Sequence, residues 1–180
     1  MAQMVLDLDA VARYLKSRIP FDGPYTLTMD RTNWKFGEVN INVLVLGIAY
    51  DHMSFPILFR LLPKRGNSNC KERINIMERF IRLFGRDSIK CLVADREFVG
   101  NEWFKWLNDS AIQYHIRIRD NFWVEDPRTG RKIRAQHIFA NLKHGEERIL
   151  YRIYRVCGEL CYLAGAVIKD KTGKPEPQIL

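Results

Sequence analysis

The sequence lacks any hydrophobic run long enough to cross a membrane. Its longest apolar stretch, Val43–Tyr50, is far shorter than the roughly 20 residues that a membrane-spanning helix needs. The N-terminus carries acidic residues and no cationic segment, so no signal peptide is predicted. Cysteine is sparse, and Cys70, Cys91, Cys157 and Cys161 are scattered, as expected of free thiols in a reducing compartment. These absences predict a cytoplasmic protein.

Several familiar functional signatures are also missing. The sequence contains no Gly-rich phosphate loop, no serine nucleophile elbow, no internal repeat and no low-complexity segment. Cys157 and Cys161 have no matching Cys or His pair at zinc-finger spacing, and His137 and His144 are too isolated to supply one. A structural zinc site is therefore not expected.

Positive charge is what the sequence has in excess. Its 180 residues include 29 Lys and Arg against 21 Asp and Glu, a net charge of +8, which favours a polyanionic partner. Arg117 and Arg119 alternate onto one face of a predicted strand, and Arg131, Lys132 and Arg134 follow in a polar stretch. Such clusters neutralise DNA phosphates, so these five residues are candidate DNA contacts. The alternative is an ordinary solvated basic surface.

Hydrophobic periodicity predicts a mixed α/β chain with one sizeable core. The expected elements are a helix over Met4–Ile19, strands over Tyr25–Asp30, Val39–Tyr50 and Phe55–Leu62, a helix that Ser68 or Asn69 caps and Gly85 ends, a strand over Ile89–Asp95, a helix over Gly100–Ser110 and a strand over Gln113–Arg119. The first three strands have short connections, which is typical of an antiparallel meander.

The character of the sequence changes after this point. Asn121–Gly145 is polar and basic, with a short helical piece near Ile138–Leu142. Two long strand patterns follow at Arg148–Val156 and Leu160–Ile168, and Gln178–Leu180 has the pattern of a further strand start.

Two β-prone runs end in an aspartate. Tyr25–Met29 precedes Asp30, and the apolar run Cys91–Ala94 precedes Asp95. Strand ends often carry Asp simply to begin a turn. The order β–β–β–α–β–α–β, however, is that of the ribonuclease H-like architecture, in which the first and fourth strands are neighbours about 4.8 Å apart. Two carboxylates at such strand ends can share Mg²⁺, which prefers oxygen ligands.

The segments LTMDRTNWKFG and LVADREFVGNEWFKWL, followed by IRIRDNF, resemble DDE-type insertion-sequence transposases and are most similar to the insertion-sequence-four family. The resemblance implies that Asp30 and Asp95 are catalytic and bind Mg²⁺ or Mn²⁺ as the first two members of an acidic triad. It implies a short N-terminal helix and linker (1–24), a ribonuclease H-like core (25–120) and a β-rich basic insertion (121–180). The implied partners are double-stranded DNA, as terminal inverted repeats and target, and a second copy in a synaptic complex at the nucleoid.

The third acid of the family does not match. The family places a Glu on a helix with the pattern Tyr-x-x-Arg-x-x-x-Glu-x-x-x-x-x-x-Lys, and the nearest pair here, Tyr114 with Arg117, has Asn121 at the Glu position. Possible substitutes are Glu97, Glu102, Glu159 and Glu176. We therefore expect a chain that ends before its last catalytic residue, is inactive alone and would complete a two-metal site only with that Glu.

Two other functions stay open. One is that of a catalytically inert remnant that still binds DNA, and the other is that of a ribonuclease H-like nuclease unrelated to transposition. Trp34 directly follows the Asp30 segment, and we expect it to belong to the core rather than to brace a base displaced from DNA. The Trp103 and Trp106 stripe is likewise expected to be core.

Overall fold

Two five-stranded β-sheets organise the computed structural model, which describes residues 6–169, 172–173 and 175–180. The chain forms two units. One runs up to Ala94 and includes Ser110–Tyr114, and the other contains Asp95–Asp109 and His115–Leu180. Within the described residues, no helix is both long and apolar enough to cross a membrane. The four cysteines all lie in this part of the chain, and no disulfide links them.

The first unit opens with the helix α1 (Leu8–Ser17), whose N-cap Asp7 accepts hydrogen bonds from the backbone N–H groups of Asp9 and Ala10. The predicted helix began at Met4, and its positions 4 and 5 lie outside the described residues. A short distance later comes the first sheet. Its strands are β1 (Tyr25–Phe36), β2 (Val39–Tyr50), β3 (Met53–Leu61), β4 (Ile89–Ala94) and β5 (Tyr114–Ile116).

The strand order of this sheet is β3-β2-β1-β4-β5. β1 pairs with β2 and β2 pairs with β3 in antiparallel fashion, whereas β1 and β4 run parallel. A parallel neighbour requires a long crossover connection, and the helix α2 (Cys70–Phe84) supplies it. The predicted meander and the predicted ribonuclease H-like mixed sheet are therefore confirmed.

Burial in this unit follows the pattern of each element. Every second residue at the start of β1, from Tyr25 to Met29, is fully or almost fully buried. The helix α2 turns Ile76, Met77 and Phe80 inward. Its N-terminus has a capping box, because the side chain of Asn69 accepts from Glu72 N at 2.9 Å and Glu72 Oε2 accepts from Asn69 N at 2.7 Å. Asn69 is one of the two predicted caps.

β1 is longer than predicted and continues past Asp30 to Phe36. The extension forms because β2 continues to pair with it, so that Trp34 lies opposite Ile41 and Phe36 opposite Val39. Directly opposed residues share a sheet face, so these four side chains form one apolar face of a two-stranded ribbon. The side chain of Trp34 is 49% exposed, and the prediction that it belongs to the core is wrong.

The second unit begins with the short 3₁₀ turn Arg96–Phe98 and the helix α3 (Asn101–Asp109). Trp103, Phe104 and Leu107 of α3 are buried, as expected for Trp103. Trp106 stacks on Trp103 with 5.5 Å between the ring centroids. The Trp stripe is therefore structural.

The second sheet contains the remaining strands, in the order β10-β9-β8-β6-β7. They are β6 (Trp123–Glu125), β7 (Lys132–Arg134), β8 (Glu147–Val156), β9 (Glu159–Lys169) and β10 (Pro175–Ile179), with the single-turn helix α4 (Ala135–Ile138) after β7. β8 and β9 lie where the sequence predicted strands, whereas β10 begins at Pro175, three residues before the predicted strand start at Gln178. β6 and β7 were not predicted, and the predicted helical piece near Ile138–Leu142 lies a few residues earlier.

Candidate functional site

Asp30 lies within β1, opposite Val45 of β2, and its side chain is exposed. One carboxylate oxygen accepts a hydrogen bond of 2.7 Å from the backbone N–H of Arg31. The sequence placed Asp30 at a strand end, and this is wrong because the ladder with β2 continues beyond it. Asp30 instead marks the point where the ladder between β1 and β4 stops.

The last residue pair of that ladder immediately precedes the two predicted catalytic residues in the chain. Its last pair joins Met29 of β1 to Ala94 of β4, and the residues that follow in the two strands are Asp30 and Asp95. Because β1 and β4 are parallel, the chain continues from Met29 and from Ala94 in the same direction. The sequence-based expectation that the first and fourth strands are neighbours is confirmed.

Asp95 occupies the N-cap position of the 3₁₀ turn Arg96–Phe98, and its carbonyl accepts from Phe98 N at 3.0 Å. Its side chain makes no capping hydrogen bond and is 52% exposed. Nη1 of Arg117 lies 3.7 Å from its Oδ1. The carboxylate is therefore half-exposed to solvent and has the guanidinium of Arg117 beside it.

Arg117 has a second acidic neighbour. Its Nη2 lies 3.7 Å from Oε1 of Glu176, a residue of β10 that is 39% exposed. Alternation along the strand suggested that Arg117 contacts DNA, but it gave no sign of this pairing. Arg117 and Glu176 are 59 positions apart (176 minus 117), so no local sequence pattern connects them.

A complete metal-binding set does not occur in the part of the chain that the structure describes. No group of three or more His, Cys, Asp or Glu side chains there is placed to hold an ion. Among the possible substitutes for the third acid, Glu159 accepts a 2.8 Å hydrogen bond from Asn108, and Glu176 faces Arg117. Carboxylate oxygens such as those of Asp30 and Asp95 are the ligands that Mg²⁺ or Mn²⁺ prefers.

The predicted basic residues fall into two places. Arg119 is exposed in the segment after β5, whereas Arg131, Lys132 and Arg134 lie at β7. The guanidinium of Arg134 stacks 4.0 Å from the centroid of the Trp123 ring and also donates to the carbonyl of Asn121. Since Trp123 lies opposite Arg134 in the ladder, the aromatic and cationic groups share one face of the sheet.

A cavity of about 440 Å³ opens beside this stack. It is lined by Trp123, Val124, Glu125, Lys132, Arg155, Cys157 and Gly158. Nη1 of Arg155 lies 3.1 Å from Oε1 of Glu125, so this cation is partly neutralised. Burial raises the pKa of the Cys157 thiol, and the neighbouring Cys161 raises it further, so Cys157 is uncharged at neutral pH.

The strand order and the parallel β1–β4 pair define a ribonuclease H-like α/β protein. Residues 17–156, which are 140 of the 180, match the family model of the transposase DDE domain, and the chain belongs to this family. No curated protein matches the sequence.

Several solved structures are similar to the chain. The simian T-cell lymphotropic virus intasome, in complex with PP2A regulatory subunit B56 gamma, is 14% identical over 53% of this chain and 34% of the matched chain, with a TM-score of 0.42. The HTLV-2 integrase catalytic core domain, in complex with magnesium and in a dimeric form, is 14% identical over 52% of this chain and 61% of the other, with a TM-score of 0.40.

The piggyBac transposase synaptic complex with hairpin DNA is 13% identical over 86% of this chain and 32% of the other, with a TM-score of 0.41. The chain therefore spans between 32% and 61% of the length of these three matched chains.

Proposed function

We propose that the chain supplies the catalytic core of a DNA transposase of the insertion-sequence-four family. The reaction would be metal-dependent phosphodiester cleavage and strand transfer at transposon ends. The observation that carries this proposal is the parallel pairing of Met29 in β1 with Ala94 at the end of β4, because Asp30 and Asp95 directly follow these two residues in the chain. Membership of the transposase DDE domain family supports it.

In this proposal Asp30 and Asp95 hold Mg²⁺ or Mn²⁺. An ion held by these two residues would supply activation of a water or hydroxyl nucleophile and stabilisation of the leaving oxygen of the phosphodiester. The Arg31 N–H orients the Asp30 carboxylate, and the exposure of both acids leaves room for a phosphate group. Arg117 supplies positive charge next to Asp95, where the phosphate backbone would approach.

The proposed partner is double-stranded DNA, both as terminal inverted repeats and as target, with two copies of the protein in a synaptic complex at the bacterial-type nucleoid of the cytoplasm. Residues 25–120 would form the core, and residues 121–180 would form the basic insertion. Arg119, Arg131, Lys132 and Arg134, with Arg117, would contact phosphates. Support comes from the net charge of +8, from the exposed side chains of Arg131 and Lys132 and from the half-buried Arg134 that stacks on Trp123.

A second candidate is a DNA-binding protein with no catalytic activity of its own. It is favoured by one observation, the lack of any three-ligand acidic group within residues 6–169, 172–173 and 175–180. A metal site with only two carboxylates binds weakly and leaves the second ion of a two-metal mechanism without ligands.

The first test is Mn²⁺ binding by the 180-residue chain, compared with Asp30→Asn and Asp95→Asn. We expect weak binding that both variants reduce at least tenfold, because each removes one of two charged ligands. Unchanged binding in both variants would remove the metal site from the proposal.

The second test is a gel-shift and cleavage assay with duplexes that carry terminal inverted repeats and with duplexes of unrelated sequence. We expect binding without cleavage by the 180 residues. Robust Mg²⁺-dependent nicking that Asp95→Ala abolishes would show that the chain needs no third acid from elsewhere. Cleavage of any DNA or RNA without preference for the repeats would instead identify a nuclease unrelated to transposition.

A further inference from the structure

Arg117 lies between two carboxylates without a short contact to either. Its Nη1 is 3.7 Å from Oδ1 of Asp95, and its Nη2 is 3.7 Å from Oε1 of Glu176. Both separations exceed the usual N–H···O distance of about 2.7–3.2 Å. The guanidinium is therefore attracted by both acids, and a shift of less than about 1 Å would bring it into hydrogen-bond distance of one of them.

The backbone around this contact is held in place. Ile116 and Ile118 on either side of Arg117 are buried, and Ile118 N donates to Ile179 O at 2.8 Å. Glu176 lies three residues before Ile179 on β10, where it pairs with Ile168 of β9. Because both backbone segments are hydrogen-bonded, the element free to move is the side chain of Arg117, which is 28% exposed.

We propose that Arg117 is a positioning residue: a resident cation on Asp95 that a divalent metal ion displaces towards Glu176. The inference rests on the proposed role of Asp95 as a metal ligand. Two cations compete for one carboxylate, so a guanidinium beside Asp95 weakens the binding of a metal ion there. Glu176 offers the displaced guanidinium a second carboxylate and thereby favours the metal-bound arrangement.

The two residues should therefore have opposite effects on metal affinity. Arg117→Gln removes the competing cation, and Mn²⁺ should bind more tightly. Glu176→Gln removes the second carboxylate beside Arg117, so the guanidinium stays on Asp95 and Mn²⁺ should bind more weakly. We expect a change of about twofold to tenfold in each direction, because Asp95 is half-exposed and water screens the interaction.

The experiment is a titration of the full 180-residue chain with Mn²⁺, in which electron paramagnetic resonance measures the free ion. The variants are Arg117→Gln, Arg117→Lys, Glu176→Gln and the double variant. Arg117→Lys keeps the charge and should bind within about twofold of the wild type. Arg148→Gln and Glu147→Gln, exposed neighbours on β8, remove the same charges elsewhere and should have no effect. Circular dichroism checks that each variant is folded.

The double variant tests whether Glu176 acts through Arg117. If it does, Glu176→Gln has no further effect once Arg117 is gone, and the double variant binds Mn²⁺ as Arg117→Gln does. Binding well below that of Arg117→Gln would mean that Glu176 attracts the ion directly, and it would overturn the proposed role of Glu176.

Failure of this inference can be told apart from failure of the proposed function. If Asp95→Asn leaves Mn²⁺ binding unchanged, the metal site itself is wrong. If Asp95→Asn abolishes binding but folded Arg117→Gln and Glu176→Gln proteins shift the affinity in the same direction, or not at all, only the role of Arg117 is overturned. A purely structural role would weaken binding in both variants.

Discussion

The carboxylate of Asp9 contacts two arginine side chains of α2. Its Oδ1 lies 2.7 Å from Nε and 2.6 Å from Nη2 of Arg79, and its Oδ2 lies 3.0 Å from Nη2 of Arg82. The hydrogen bond from Arg79, reinforced by Arg82, lowers the pKa of Asp9 although burial of the carboxylate acts in the opposite direction. Both arginines belong to α2, so Asp9 fastens α1 to α2 in the first unit.

We predict a pH-dependent loss of stability in Asp9→Asn. Because the pKa of Asp9 is lower in the folded state, the charged carboxylate stabilises the fold above its unfolded pKa of about 4, and this contribution is lost as pH falls through the lowered folded value. In urea unfolding followed by Trp fluorescence, the variant should be less stable than the wild type near pH 7, and the difference should disappear in acid.

Glu78→Gln is the matched control, because Glu78 is an exposed acid next to Arg79 on α2. It should change the stability little at any pH. A difference between Asp9→Asn and the wild type that persists unchanged into acid would show that the charge of Asp9 is not the source of its effect.

At the scale of the element, hydrogen bonds and an ion pair in the first turn stabilise the helix α2. The Asn69 side chain accepts from Glu72 N, the Glu72 carboxylate accepts from Asn69 N, and Lys64 lies 2.9 Å from Glu72 Oε2. Burial alone would raise the pKa of Glu72, but Lys64 and the Asn69 N–H outweigh it and leave the pKa below its ordinary value. The helix therefore begins on a charged, fully hydrogen-bonded capping box.

We expect Asn69→Ala to lower the free energy of unfolding by about 1 kcal/mol, with an unchanged urea m-value, because the Glu72 N–H loses its side-chain acceptor. Asn69→Asp and Asn69→Ser keep an acceptor oxygen and should stay within a few tenths of a kcal/mol of the wild type. Equal losses in all three variants would show that Asn69 is needed for some reason other than the cap.

Elements whose signals are local were predictable from the sequence. The cap at Asn69 and the strand β4 each depend on a few consecutive residues, and the structure confirms them, although Val93 of β4 is exposed. The extension of β1 through Trp34 was missed because it depends on pairing with β2. β6 and β7 were missed because three-residue strands show too little alternation to be recognised.

The same difference between local signals and contacts of distant segments applies to the candidate site. Asp30 and Asp95 were chosen because each follows a β-prone run, and their catalytic role stays a prediction. The neighbouring positions of β1 and β4 followed from the order of elements, and the structure confirms them. The pairing of Arg117 with Glu176 and the stacking of Arg134 on Trp123 were not recognisable. Both are side-chain contacts between segments that only the folded sheet brings together.

At the scale of the whole molecule, we predict that charge position and not net charge governs DNA binding. Reversing Arg131, Lys132 and Arg134 together to Glu should weaken binding to any duplex and reduce the slope of log affinity against log salt by about 2–3, since each phosphate contact contributes about 0.9. Fluorescence anisotropy at several salt concentrations measures both quantities.

Reversal of Arg13, Arg18 and Lys90 is the control, because these exposed residues of the first unit change the net charge by the same amount. It should leave the slope nearly unchanged. Equal losses of slope in the two triple variants would mean that DNA responds to the overall charge, and the residues of β7 would then have no special part in binding.

The ladder between β1 and β4 also governs the order in which the protein can fold. Met29 and Ala94 are 65 positions apart (94 minus 29), so their pairing is a contact of high sequence separation that closes a long loop at an entropic cost. The hairpins of β1 to β3 can form during synthesis on the ribosome, while β4 is still absent. The pairing of Met29 with Ala94 is therefore among the late products of folding, and a nascent chain acquires it only after Ala94 has emerged.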